Sequence, residues 1–194
     1  FVLLHGMTGT AEMVRPLAEQ FCPEGWEVWT MDAPFKHPKR GFAWWIRSQP
    51  AYLPLESEVI EQVEESVSHV LRNIPEEGPL IVGGFSQGAA IAMELLLTSI
   101  AHRIVGLVII GSKCARPLLI YDRLLALPSG RLFSMHGERD HIVPLSQADE
   151  YADLFENAGW QVTRVRHSKG HMVDQSNAQE LHDWLEVMVS EIDV

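Results

Sequence analysis

The five residues Gly84-Phe85-Ser86-Gln87-Gly88 constrain this chain more than any other stretch, because they join the apolar run Leu80-Ile81-Val82 to the helix-forming segment Ala89 to Leu97. In that setting G-x-S-x-G is a sharp turn from a strand into a helix, with the serine hydroxyl raised at the carboxyl edge of a sheet. The chain must reverse direction within a few residues, so a Cβ at position 84 or 88 would run into the neighbouring strand and helix. A serine hydroxyl alone is a weak nucleophile near neutral pH. The turn therefore carries chemistry only if the rest of the chain supplies a histidine base and a carboxylate to orient it.

The surrounding sequence predicts the sheet that such a turn needs. β-Rich runs at Phe1 to His5, Trp26 to Met31, Leu80 to Gly83, Ile104 to Ile110, Arg131 to His136 and Gln161 to His167 alternate with amphipathic stretches. The latter run from Ala11 to Phe21, Glu56 to Arg72, Gln87 to Thr98, Gln147 to Ala158 and Ala178 to Ser190. This alternation predicts an α/β fold: βαβ units around a mostly parallel central sheet with helices on both faces. Val59, Val63, Val67 and Val70 recur at i, i+4, i+8 and i+11, which puts them on one helix face. No repeat, low-complexity stretch or Gly/Ser linker interrupts the pattern, so residues 1–194 read as a single domain. Two irregular stretches remain. Ala33 to Leu55 mixes four prolines with Phe35, Phe42, Trp44, Trp45 and Tyr52, and a loop of that length is usually functional. Ser112 to Ser129 has room for one short helix over Pro117 to Leu127.

Composition excludes several classes. A formal net charge of −11 argues against a nucleic-acid partner, since phosphate binding depends on clustered Lys and Arg. No apolar run approaches the roughly 20 residues of a membrane span. Cys22 and Cys114 are too few for a disulfide framework or a thiolate metal site, which makes a reduced, cytoplasmic setting the default expectation. The chain starts at Phe1 inside an apolar run, so a leader or a short preceding strand is left open. Oligomeric state is not fixed by the sequence, and a homodimer is compatible with it.

Nine histidines compete for the role of base. Where a serine is presented this way, the acid and then the base follow it in chain order, on loops after later strands. That leaves His141, His167 and His171. His171 is favoured because it follows Lys169-Gly170 in the loop leaving the last strand, where Gly170 lets the backbone approach the nucleophile. Asp140, in His136-Gly137-Glu138-Arg139-Asp140-His141-Ile142-Val143-Pro144, is the acid expected to accept from the histidine Nδ1–H; Glu138 is the alternative. Standing alone, Asp140 would read as a turn or cap residue. An oxyanion hole requires two preorganised N–H groups. The amide of Gln87, just after the nucleophile, and that of Met7, in Leu4-His5-Gly6-Met7-Thr8-Gly9, are the candidates. His5 reads as a residue that orders this loop.

These blocks together resemble the α/β-hydrolase fold, and within it the phospholipase/carboxylesterase family that includes acyl-protein thioesterases. The resemblance is carried by Leu4-His5-Gly6, Gly83-Gly84-Phe85-Ser86-Gln87-Gly88, His136 to Pro144 and Gly170-His171, in the family's order and across almost the whole chain. It implies Ser86 as nucleophile, Asp140 as orienter and His171 as base. Family members commonly carry Leu-Gly-Asp after His-Gly, where this chain has Met7-Thr8-Gly9. The connection before the acid-bearing strand has no large insertion, which predicts a site without a lid.

Such a site is expected to cleave small-molecule carboxylic esters of short- to medium-chain acids without a cofactor. Thioesters and lysophospholipids share the acyl chemistry and stay as alternatives, as does a binding module that has lost turnover. Trp44 and Trp45 are candidates for lining the acyl or alcohol pocket; the competing reading has them anchoring their loop to the core. His136, Asp140, His141, His167 and His171 are metal-ligand types, but they lack the helical H-x-x-x-H spacing and would leave Ser86 unexplained, so no metal is expected.

Overall fold

The computed structural model describes residues 1–192; residues 193 and 194, the end of the span read as one domain, lie outside it. The strands are β1 (Val2–Leu4), β2 (Phe35–Lys36), β3 (Phe42–Ala43), β4 (Leu80–Phe85), β5 (Ile104–Ile110), β6 (Arg131–Gly137) and β7 (Gln161–His167). Five of them form one sheet in the order β1-β4-β5-β6-β7, every neighbouring pair parallel. The helices are α1 (Ala11–Phe21), α2 (Ser57–Arg72), α3 (Gln87–Glu94), α4 (Pro117–Leu124), α5 (Leu145–Asn157) and α6 (Ala178–Ser190).

Because side chains alternate along a strand, a sheet covered on both faces divides its own residues between two cores. Leu4, Val82, Leu107, Ile109 and Leu132 point to one face, packed with α2, α3, α4 and α5. Leu3, Ile81, Val108, Ile110, Phe133 and Met135 point to the other, packed with Val14, Ala18 and Phe21 of α1 and Leu181, Leu185 and Met188 of α6. The valine stripe of α2 is buried as its spacing predicts. Each such side chain contributes about 1.5–3 kcal/mol relative to leaving it exposed. No helix among the described residues is long and apolar enough to cross a membrane.

Two expected elements differ. Trp26 to Met31 is not a strand: it meets β1 through a single parallel bridge, Val2 with Trp29, made by Trp29 N–H to Phe1 O and Leu3 N–H to Trp29 O. β1 is only three residues long, and Asp32 then turns away to accept from the amide of Ala11 at 2.7 Å, so the ladder has no room to extend. The helix expected over Gln87 to Thr98 ends at Glu94 and tightens into a 3₁₀ turn at Leu95–Leu97. Thr98 closes that turn, its amide and its hydroxyl both donating to Leu95 O.

The irregular stretch from Ala33 to Leu55 contains the small antiparallel ribbon β2–β3. It holds the loop after β1 in place: Thr8 N–H donates to Phe42 O, and Phe42 N–H donates to Gly9 O. A Cβ at Gly41, where φ is +57°, would stand 2.4 Å from Thr8 O.

Candidate active site

All five strands of the central sheet lead, at their carboxyl edge, into segments that line one crevice: Met7 after β1, Ser86 after β4, Ser112 after β5, Ile142 after β6 and His171 after β7. Open α/β sheets place ligands at that edge. Ser86 follows β4 at φ 54°, ψ −118°, a conformation that L-residues rarely adopt and that is stored at functional sites. Ser86 N–H donates to Ile110 O and Ser112 Oγ donates to Ser86 O at 2.8 Å, so the turn is tied to the end of β5. The two glycines of the motif are needed for space. A Cβ on Gly88 would lie 2.4 Å from Leu4 O, and one on Gly84 would lie 2.6 Å from the Gly88 carbonyl carbon.

Ser86 Oγ is 3.0 Å from His171 Nε2, and His171 Nδ1 is 2.7 Å from Asp140 Oδ2. Asp140 Oδ1 accepts from the amides of Ile142 at 2.8 Å and Val143 at 2.9 Å, which fixes the carboxylate and leaves Oδ2 to the histidine. The Asp140 side chain is fully buried. Glu138 and His141 are both exposed, and neither hydrogen-bonds His171. His167 is buried at the end of β7, with Nδ1 accepting from the amide of Lys169.

His136 stands 3.4 Å from Asp140 Oδ2 and donates through Nε2 to Val143 O at 2.8 Å. Burial lowers its pKa, against the pull of the Val143 carbonyl and Asp140, and this keeps it neutral beside the carboxylate. His5 behaves as its position predicts. Its Nδ1–H donates to Gly6 O at 2.7 Å and its Nε2 accepts from Ala33 N–H at 3.0 Å, so burial again favours the neutral ring.

The expectation that Gly170 allows a close backbone approach to the nucleophile is corrected, because the tight packing lies between the two loops, at Gly137. A Cβ there would stand 2.3 Å from Gly170 O, whereas one on Gly170 meets nothing nearer than 3.4 Å. The acid loop and the base loop are thus pressed together, with Arg139 N–H donating to Lys169 O. The base loop is closed by Lys169 Nζ on Asp174 Oδ1 at 2.6 Å. Lys169, with the hydroxyl and amide of Ser176, holds the Asp174 carboxyl well below the usual carboxylate range.

Gln87 contributes more than its amide. Its buried side chain accepts from Trp44 N–H at 3.1 Å and donates to Trp45 O at 3.0 Å, clamping the aromatic segment to the start of α3. The expectation that Trp44 lines a pocket is corrected: it is fully buried, with Nε1 donating to His5 O at 2.8 Å, because its polar atom finds a partner only inside. Trp45 does line a cleft of about 260 Å³ that opens on Ser86, together with Met7, Phe85, Ala90, Ile142 and Val143. Arg47, Ser112 and Lys113 also line it and were not expected from the sequence. The usable signal for Lys113 is its place two residues beyond Gly111, just past the carboxyl end of β5. The amides of Met7 and Gln87 both lack an acceptor among the described residues, Gln87 because it opens a helix.

A parallel sheet with a strained serine turn and a serine–histidine–aspartate line at its carboxyl edge defines an α/β hydrolase. The chain belongs to the serine hydrolase (FSH1) family, whose model matches residues 3–181. Solved structures of the same fold include SOBER1 of Arabidopsis thaliana, with a TM-score of 0.77 and 16% identity over 97% of each chain. A Bacillus cereus carboxylesterase matches with a TM-score of 0.75 and 21% identity, over 96% of this chain and 87% of that one. Acyl-protein thioesterase 2 of Zea mays matches at 0.74 and 20%, over 96% and 92%. The curated proteins show no significant match to this sequence.

Proposed function

We propose that this serine hydrolase cleaves carboxylic esters of short- to medium-chain acids through an acyl-enzyme. The observation that carries the reading is the unbroken hydrogen-bonded line from Asp140 through His171 to Ser86, ending at an apolar cleft. In this reading Ser86 Oγ attacks the acyl carbonyl as His171 Nε2 takes its proton, and Asp140 steadies the imidazolium. The oxygen that gains charge is received by the amides of Met7 and Gln87. His171 then protonates the departing alkoxide, and a water activated by the same nitrogen attacks the acyl-Ser86 ester to free the acid.

A cleft of about 260 Å³ falls just below the usual span of ligand sites, which run from about 300 Å³ upward, and this supports the short- to medium-chain acyl preference. Thioesters pass through the same tetrahedral state and are the neighbouring reading. The test pairs a fluorophosphonate probe with a panel of p-nitrophenyl esters of rising chain length and matched acyl-thioesters. Labelling that Ser86→Ala removes, with the highest kcat/KM on the shorter esters, is the expected result. Absence of labelling in folded protein makes the fold a binding module, and a preference for thioesters moves the assignment to a thioesterase.

A further inference from the structure

Beside its apolar side chains and the polar Ser86, Gln87, Ser112 and His171, the cleft is lined by two cations, Arg47 and Lys113, which reach it from different loops and converge on one atom. Lys113 Nζ donates to Leu53 O at 2.5 Å and Arg47 donates to the same oxygen at 2.9 Å. Arg47 Nε is held by Gln49 O at 2.7 Å. Both residues are half-buried. Neither forms an ion pair with a carboxylate among the described residues, whereas Arg116, Arg131, Arg164, Arg166 and Lys169 all do. The chain has 26 acidic residues against 15 basic ones, so partners were plentiful.

Two like charges sharing one carbonyl in a partly desolvated wall repel each other, and the repulsion is relieved by an anion placed between them and solvent. Lys113 has its pKa lowered to about 8, first by burial and then by Arg47, with Glu150 and Cys114 opposing; burial lowers the Arg47 pKa as well, with Glu56 opposing. Ser112 Oγ bonds the Ser86 carbonyl, so the ammonium stands one residue from a group that touches the nucleophile's own backbone. We infer that the substrate of this site is an ester bearing an anionic group, a carboxylate or a phosphate, which Lys113 and Arg47 receive while Ser86 meets the carbonyl. The inference rests on the hydrolase reading, because it names the substrate class of the Ser86 site.

The test uses neutral and charged probes of equal length on the intact protein. On the acyl side, mono-p-nitrophenyl adipate is compared with p-nitrophenyl hexanoate. On the alcohol side, the butanoyl ester of ω-hydroxyhexanoate is compared with hexyl butanoate. The kcat/KM ratio of charged to neutral ester is expected to favour the charged one by about tenfold to a hundredfold in one of the two pairs, the usual worth of charge-assisted hydrogen bonds. The favoured pair tells which side carries the anion, and a phosphate in place of the carboxylate on that side distinguishes the two anions. Lys113→Met and Arg47→Met are each expected to bring the ratio down toward unity. If a variant fails to fold, competitive inhibition of wild-type protein supplies the answer: adipamate is expected to bind more tightly than hexanamide, and equal binding counts against the anion on the acyl side. A ratio at or below unity in both pairs, while neutral esters are hydrolysed, overturns the anion inference alone. No turnover and no fluorophosphonate labelling overturns the hydrolase reading and this inference with it.

Discussion

Ser86 Oγ lies 3.0 Å from His171 Nε2 while the Ser86 backbone stands at φ 54°, ψ −118°, so the hydroxyl is aimed by a conformation that is itself unfavourable. A non-glycine residue held there costs about 1–3 kcal/mol. Glycine would remove that strain at an entropic cost of about 0.5–1 kcal/mol. Relief is the larger effect, so Ser86→Gly is expected to stabilise the fold by about 1 kcal/mol while abolishing ester turnover. Ser86→Ala keeps the strain and should lose turnover with no such gain. Urea midpoints and ester assays on both variants check this; a glycine variant less stable than wild type means the turn is not strained, and turnover in either removes Ser86 as nucleophile.

Gly88→Ala sets helix propensity against space. Alanine is favoured in a helix by about 0.8–1.0 kcal/mol. Its Cβ, however, would stand 2.4 Å from Leu4 O and 2.5 Å from His5 O, backbone atoms that cannot swing aside. Overpacking of that kind costs about 1–3 kcal/mol or more and should win. Because the displaced carbonyls lead into Gly6-Met7, activity should fall further than stability alone explains. A variant as stable and as active as wild type would show that the helix can shift without consequence.

The tryptophan pair is separable by mutation. Trp44→Ala removes a fully buried indole and its bond to His5 O, and should lower stability by about 3–5 kcal/mol. Trp45→Ala enlarges the cleft and should move the preferred ester toward longer acyl chains. Rate profiles over acyl length read this directly; an unchanged profile for the Trp45 variant removes it from the pocket wall.

The sequence distinguished what depends on periodicity and missed what depends on loop placement. β5, β7, α1 and α6 match their expected bounds residue for residue, because their apolar patterns end where turn residues begin. The hydrogen-bonded line of Asp140, His171 and Ser86 was legible because a G-x-S-x-G turn between strand and helix sets the order in which an acid and a histidine would follow it. Trp44 and Trp45 are neighbours of the same type, and only the three-dimensional course of their loop separates an anchor from a wall. The clamp made by the Gln87 side chain and the meeting of Arg47 with Lys113 join residues far apart in the chain. No local pattern announces such pairs, and the two-residue strands β2 and β3 are likewise too short to have one.

His5 and His136 make stability depend on mildly acidic pH. Burial lowers both pKa values; Gly6 O and Asp32 oppose this at His5, Val143 O and Asp140 oppose it at His136, and Arg166 and His171 reinforce it there. The unfolded chain therefore takes up protons, from about pH 6.5 downward, that the folded chain refuses. The contribution is fully present above that value and is lost as pH falls below it. His136→Gln keeps a donor for Val143 O without titrating, so its unfolding free energy should fall less steeply than wild type between about pH 6.5 and 5. Equal slopes in urea titrations across that window would remove His136 as a source.

Glu94 and Arg116 form the pair whose rupture should be most damaging. The Glu94 side chain is fully buried at the end of α3, and Oε2 accepts from Arg116 Nε at 2.7 Å and from a second guanidinium nitrogen at 2.5 Å. Burial still raises the Glu94 pKa despite Arg116, which shows that desolvation is the larger influence. Removing the cation leaves a buried charge alone, and Arg116→Met should destabilise by about 3–5 kcal/mol near neutral pH. The deficit should shrink as pH falls, because protonation of Glu94 removes the uncompensated charge. Replacing both partners, Glu94→Leu with Arg116→Met, should recover most of the loss, since an apolar pair of similar volume carries no desolvation penalty. A single-variant deficit below about 1 kcal/mol that does not change with pH would place the pair among ordinary surface ion pairs and remove its role in holding α3 behind Ser86.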